Sequence, residues 1–339
     1  MTCSRNGLVV GCIAGLVSLW VIGTPAFGRD VKLVLHPQKA PAEVGKFSLL
    51  LTESALIDGD AVPLYEKAVK ALPDKTGDDR IRQWVEMPID QLPLDQVEQV
   101  VAQHLESLRA VAKAVKCRQC NWPEWKPGIE ISNLTEYRRL AFVIRLWARL
   151  EIAEDGYEGA VLALQTGFGM ARHLGQAPTI IQVLVGTAVG HTLCREVDEF
   201  VQREGAPNLY PALANLPKPF VAMEKAIETE RKAAALQGGA FEGQTDAAHD
   251  RCRAIAKRFK ANLAALQCVE AIRSYVASHG GKLPVGLGDI TEVSVPTDPT
   301  NNDEPFRYVL TATTAVLESF LPPGGDEKER IRYLLSVAN

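Results

Sequence analysis

The chain predicts a mainly α fold, a helical bundle or a short array of helix pairs, closed by a small carboxyl-terminal β-hairpin element. Three observations carry this. Between residues 94 and 278, apolar residues recur at steps of three and four, the spacing that gathers them on one face of a helix. Aromatic residues make up 6% of a chain that is 47% hydrophobic, so aliphatic helix packing has to build the core. Beyond Gly280-Gly281 the pattern changes to short runs rich in β-branched residues and separated by prolines, the grammar of strands and turns.

In order along the chain, residues 1–6 carry Arg5, residues 7–23 are almost wholly apolar, and residues 24–28 end in a small-x-small pattern. This reads as a signal peptide over residues 1–28, with an uncleaved membrane anchor as the alternative. The remainder divides into a helical domain over 29–245 and, over 246–339, a long helix plus a small β element packed on that helical domain.

Val31 to Leu35 alternate, which predicts a strand or an extended arm. Residues 62–72 predict a helix with Pro63 in its first turn and Pro73 past its end. The proline-punctuated stretch 84–92 predicts a connector. Residues 94–115 predict one helix, capped by Asp95, with Val97, Leu105, Leu108 and Val111 on its apolar face. Residues 137–204 predict three helices: an antiparallel pair broken at Asp155-Gly156, and a third over 179–201 that is apolar around most of its circumference and so belongs in the core. Gly186 and Gly190 on that third helix mark close packing against neighbours. A helix with a charged outer face follows over 220–236.

The longest helix is expected over 246–278, where Ile255, Phe259, Leu263, Leu266, Val269, Ile272 and Val276 hold one stripe. Residues 306–310 and 315–320 predict a hairpin turning at 311–314. Residues 326–338 predict a short charged helix.

A formal net charge of -4 with no basic stripe excludes a phosphate-backbone partner. No His-Glu-x-x-His, Gly-x-Ser-x-Gly or Walker phosphate loop is present, and the six histidines stand singly. No catalytic or cofactor-binding residue is therefore assigned. Two local strings can carry chemistry. Cys117 and Cys120 have the spacing of a redox dithiol and of half a zinc knuckle, but they follow a helix end and have no further zinc ligands nearby, so a disulfide closing a small loop is expected, with free thiols as the alternative. Asp298, Asn301, Asp303 and Glu304 put oxygen donors close enough together to hold calcium, or to form an Asx-rich turn.

Three resemblances add to this reading. Residues 144–174, with Ala148, Ala160 and Gly167 at the helix crossing and Gly-Tyr-Glu-Gly-Ala at 156–160, resemble one tetratricopeptide helix pair. The stretch from Ala271 to Tyr275 through His279-Gly280-Gly281-Lys282-Leu283-Pro284, then Pro296-Thr297-Asp298-Pro299 and Pro305-Phe306-Arg307-Tyr308, resembles the carboxyl terminus of type II secretion pseudopilins. Taken with Cys120-Asn121-Trp122, Trp147-Ala148-Arg149-Leu150 and Leu184-Val185-Gly186, the chain is similar to a family of exported, mainly helical bacterial proteins. That resemblance implies a fold and a compartment and brings no catalytic residue.

The expectation is an exported protein, periplasmic or secreted, that works as a non-catalytic interaction or scaffold protein with a protein partner in the cell envelope. Membrane contact is expected only through an uncleaved amino-terminal helix. An envelope hydrolase built from distant residues and a structural part of a secretion-type assembly are the alternatives; an open sheet edge at 306–310 would be the mark of the second.

Overall fold

The computed structural model of the chain describes residues 30–42, 45, 47–124, 133–236, 242–321 and 326–338. The signal-peptide reading of residues 1–28 falls outside them. Ten helices are described: α1 (Val62–Lys70), α2 (Asp78–Glu86), α3 (Leu94–Gln103), α4 (Leu105–Ala114), α5 (Leu134–Ala153), α6 (Tyr157–Gly175), α7 (Ile180–Phe200), α8 (Tyr210–Ala214), α9 (Met223–Leu236) and α10 (Glu242–Ser278). The fold is mainly α.

The body is organised around α7, which packs against α5, α6, α9 and α10. Thr179 starts it, its side-chain oxygen accepting from the Gln182 amide at 3.3 Å. The two glycines expected to mark close packing serve different neighbours. A Cβ on Gly186 would stand 2.5 Å from the Gly175 nitrogen of α6, and one on Gly190 would stand 2.3 Å from the ring of Phe259 on α10. Only a hydrogen fits at either crossing. Between α5 and α6 the chain reverses at Asp155, whose φ of 54° lets the Gly156 amide donate back to the Glu151 carbonyl at 2.8 Å.

On α10 the stripe from Phe259 to Val276 is inside, with Phe259, Leu266, Val269, Ile272 and Val276 all buried. Residues 265–274 are buried on every side of the helix. Glu270 and Arg273 therefore lie in the interior, and they pair with each other at 2.8 Å.

Three elements depart from the expectation. The helix expected over 94–115 is two, α3 and α4, divided at His104 (φ -97°, ψ 6°), whose Nδ1 lies 2.8 Å from the Val100 carbonyl. The division lets α3 lie on α5 while α4 lies on α1. Trp84 is not in a connector but closes α2, buried with Ile81 and Val85.

The third departure is in the carboxyl-terminal region. The tail expected as a charged helix is instead a 3-10 turn (Glu327–Glu329) and a strand, β8 (Arg332–Val337). Together with β1 (Asp30–Leu35), β6 (Arg307–Thr311) and β7 (Thr314–Glu318) it makes a four-stranded mixed sheet of order β1-β8-β7-β6. The hairpin β6-β7 is as expected, with Thr311 opposite Thr314. It belongs to a larger sheet because β1, expected as a strand or arm, pairs in parallel with β8 from Asp30↔Arg332 to Leu35↔Val337. Among the described residues, no helix is long and apolar enough to cross a membrane.

Candidate functional site

The Cys117 string lies where β3 (Cys117–Gln119) pairs in parallel with β2 (Ile57–Asp60). One carboxylate oxygen of Asp60 accepts from the amides of Val62 at 3.1 Å and Asn121 at 2.9 Å, tying the start of α1 to the end of β3. Cys117 and Cys120 are free thiols, not the expected disulfide. The extended backbone between them turns the two side chains to different surroundings. The Cys117 sulfur is buried 3.7 Å from the Lys113 carbonyl, while Cys120 is half-buried. Burial and the nearby Asp60 carboxylate push both thiols up, away from the thiolate that a redox or metal role requires.

Beyond the cysteines the string ends in an aromatic plug. Trp122 donates from Nε1 to the His173 carbonyl at 2.8 Å and stacks on Tyr65 at 6.0 Å between centroids. The Tyr65 hydroxyl lies 2.8 Å from His173 Nδ1. Burial, helped by Arg172, lowers His173 to about 4, and burial also raises Tyr65 well above its ordinary value. The imidazole is thus neutral and the hydroxyl protonated, and the two share one hydrogen bond whose direction is set by the tautomer. Tyr137 of α5 stands edge-on to both Tyr65 and Trp122, so the cluster locks α1, α5 and α6 together.

In the Asp-Asn string the short strands β4 (Thr297–Asp298) and β5 (Glu304–Pro305) pair in antiparallel fashion, and Asp298 is buried with both its oxygens taken by the protein. Oδ1 accepts from the amide and hydroxyl of Thr300 at 2.8 and 2.6 Å, and Oδ2 accepts from the Phe320 amide at 2.6 Å. Asn302 and Asp303 occupy the left-handed turn region, with φ of 53° and 59°. Asn301 is half-buried, and Asp303 and Glu304 are exposed around that turn. Asp298 therefore holds the loop onto the end of β7 as the Asx-turn alternative requires. Among the described residues, no group of three His, Cys, Asp or Glu side chains comes together to hold a metal ion.

The most shifted ionisable groups lie in the interior. On α7, burial pushes Asp198 well above the carboxylate range, lowers His191 to about 3 and raises Cys194. Beside them the Tyr333 hydroxyl lies 3.4 Å from the Asn262 side-chain oxygen. A cleft of about 490 Å³ opens elsewhere, at the turn into α6, lined by Gln38, Phe47, Tyr157, Glu158, Gly205 and Pro207 among others. Tyr157, whose hydroxyl is pushed up to about 12 by burial and the Asp155 carboxylate, borders it; Asp198, His191 and Cys194 do not.

Sequence reasoning missed the buried ion network that spans α5 and α7. Arg145 and Arg149, one turn apart on α5, both bind Glu196 of α7, at 2.8 and 3.1 Å, and all three side chains are buried. Arg145 also donates to the Val85 carbonyl at 3.1 Å and Arg149 to the Met87 carbonyl, so the network fixes the end of α2 as well. In the sequence these residues read as a charged helix face, with Glu196 set among Arg195, Asp198 and Glu199.

The outer face of the sheet is the site that remains open. Leu33, Leu35, Ala315, Leu317, Tyr333 and Leu335 point inward and are buried. Register then fixes the opposite face as three cross-strand rows. The first is a charge ladder, Asp30–Arg332–Glu318–Arg307. In it Arg332 binds Asp30 at 3.0 Å and Glu318 at 3.3 Å, and Arg307 binds Glu318. The second, Lys32–Leu334–Val316–Val309, is apolar in all but its first member. The third, Val34–Ser336–Thr314–Thr311, is mostly polar. Val34 and Val309 are 45% and 42% exposed, the outermost of this apolar surface.

Strand β6 forms the edge. Parity places its outward groups: the Ser319 amide donates to Ile331 at 2.9 Å, so the odd-numbered residues of β7 face β8 and the even-numbered ones face β6. The partners of those even residues are Arg307, Val309 and Thr311. The amides and carbonyls of Tyr308 and Leu310 consequently point away from the sheet. Among the described residues no strand pairs with that edge.

Comparison of the chain with family models, characterised proteins and solved structures returned no match.

Proposed function

We propose that this is an exported, non-catalytic protein of the cell envelope, periplasmic or secreted, that works by binding another protein through the outer face of its mixed sheet. The observation that carries this reading is the apolar row of Leu334, Val316 and Val309, left on the outer face beside a self-satisfied charge ladder and running to an open edge. An apolar strip framed by paired charges suits a protein surface of complementary shape. The export half rests on the composition of residues 1–28. Paired interior charges support the binding half: Arg145, Arg149 and Glu196, and Glu270 with Arg273, are spent on holding the interior together.

Recovery of the tagged chain from the envelope of its own cells tests the reading. One protein is expected to be retained at a fixed ratio, and to be lost with Leu334→Lys. A small molecule bound stoichiometrically, with no protein retained, would overturn it and favour an envelope hydrolase. The open edge at β6 favours one further reading, a structural part of a secretion-type assembly, in keeping with the pseudopilin-like carboxyl terminus.

A further inference from the structure

We propose that the occupant of the β6 edge is a second copy of this chain, paired strand to strand in antiparallel fashion about a two-fold axis at Val309. The proposal deepens the reading of the sheet as the working surface by naming what lies against its edge.

The geometry of the edge is self-complementary. With Val309 opposite its own equivalent, Tyr308 of each copy faces Leu310 of the other. These are the residues whose amides and carbonyls point outward, so each such pair exchanges both hydrogen bonds and none of the four groups is left over. The remaining pair sets Arg307 against Thr311, so no like charges stand opposite each other, and Arg307 is already neutralised by Glu318 on its own chain.

The faces agree as well as the edges. The apolar row of one copy, Leu334–Val316–Val309, continues into Val309–Val316–Leu334 of the next, with a Lys32 at each end. The exposed Val309 is thereby covered by its own counterpart, forming the close non-hydrogen-bonded pair where side chains approach most nearly. The usual guards are missing from the middle of the strand: Tyr308, Val309 and Leu310 include no lysine or proline and no inward-pointing charge. The isologous interface closes on itself and stops at two copies.

The test uses the chain as recovered from cells, its mass in solution measured by sedimentation over a range of concentrations. The wild type is expected to move from one chain mass to two. Val309→Lys and Val309→Glu, each placing like charges in contact at the axis, should raise the dissociation constant about a hundredfold. Mixing the two variants should restore the dimer, which a merely misfolded variant would not do. In the wild type alone, the Tyr308 and Leu310 amides should become protected from exchange as the dimer forms.

A wild type that keeps a single chain mass throughout, or a Val309→Lys variant that dimerises as tightly as wild type, would overturn the proposal. So would protection of Tyr308 and Leu310 that arises only when a different extended peptide is added. A monomer that still retains its envelope protein through Leu334 sinks this proposal and leaves the proposed function standing. A dimer that retains no protein does the reverse.

Discussion

The molecule contains two ladders of alternating charge, and they do opposite things. In the interior, Arg145, Glu196 and Arg149 meet with side chains at most 3% exposed, and each arginine gives one further donor to a backbone carbonyl, Val85 for Arg145 and Met87 for Arg149. On the sheet, Asp30, Arg332, Glu318 and Arg307 meet with three of the four side chains open to water, Arg307 at 70%. The first set is costly to leave incomplete because a lone charge there has no solvent, so it fixes how α2, α5 and α7 sit. The second adds little stability; it neutralises a surface and leaves the row beside it free for contact.

Breaking each set in turn sharpens the difference. The largest effect is expected for Glu196→Ala, which takes the shared buried carboxylate from two guanidinium groups, leaves them only the outlying Glu86 and Glu199, and should cost about 3–5 kcal/mol in denaturant unfolding. A loss within about 1 kcal/mol would mean that water reaches the network. Next in size is Gly186→Val, which drives a side chain into the backbone of α6 and should cost at least about 1–3 kcal/mol by the same measurement. Trp122→Phe keeps the ring and removes the donor to the His173 carbonyl, a loss of about 1 kcal/mol. At the small end, Asp30→Ala should change stability by less than about 1 kcal/mol, and that change should shrink as salt is added.

Acid sharpens the contrast from another side. Burial lowers His173 from 6.5 to about 4 and His191 to about 3. Between those values and 6.5 the unfolded chain binds protons that the folded chain refuses. Their contribution is whole above pH 6.5 and is lost as pH falls through 4 and then 3. The raised carboxyls Asp198 and Glu270 act in the opposite sense, so the test is a difference. Stability of wild type minus that of His173→Gln should fall as pH drops from 6.5 toward 4, and a flat difference would show His173 to be solvated.

What could be read from the sequence divides along the same line. Helical stripes are local, and Phe259, Leu266, Val269 and Ile272 declared α10 without help from the rest of the chain. The break at His104 could not be read, because the apolar stripe runs through it and only the separate partners of α3 and α4 divide it. Strand β8 was hidden for a different reason. Tyr333, Leu335 and Val337 do alternate with Arg332, Leu334 and Ser336, but a charged tail reads equally as a helix until a strand from the other end of the chain pairs with it.

At the site the same limit held. Arg145, Arg149 and Glu196 have the letters of a solvated helix face, and burial alone changes their meaning. The disulfide expected of Cys117 and Cys120 came from spacing, which says nothing about which way each sulfur faces. Asp298 stood out in the sequence as an oxygen donor for calcium or for an Asx-rich turn, and its letters do not say what its oxygens hold. One of them holds the Phe320 amide.

The account's central claim is that stability resides in the helical interior while binding resides on the outer face of the sheet. One variant, Leu334→Lys, tests it when melting and envelope retention are measured on the same sample. The account predicts a melting midpoint close to wild type with the retained protein lost. Retention unchanged on a folded variant would contradict it.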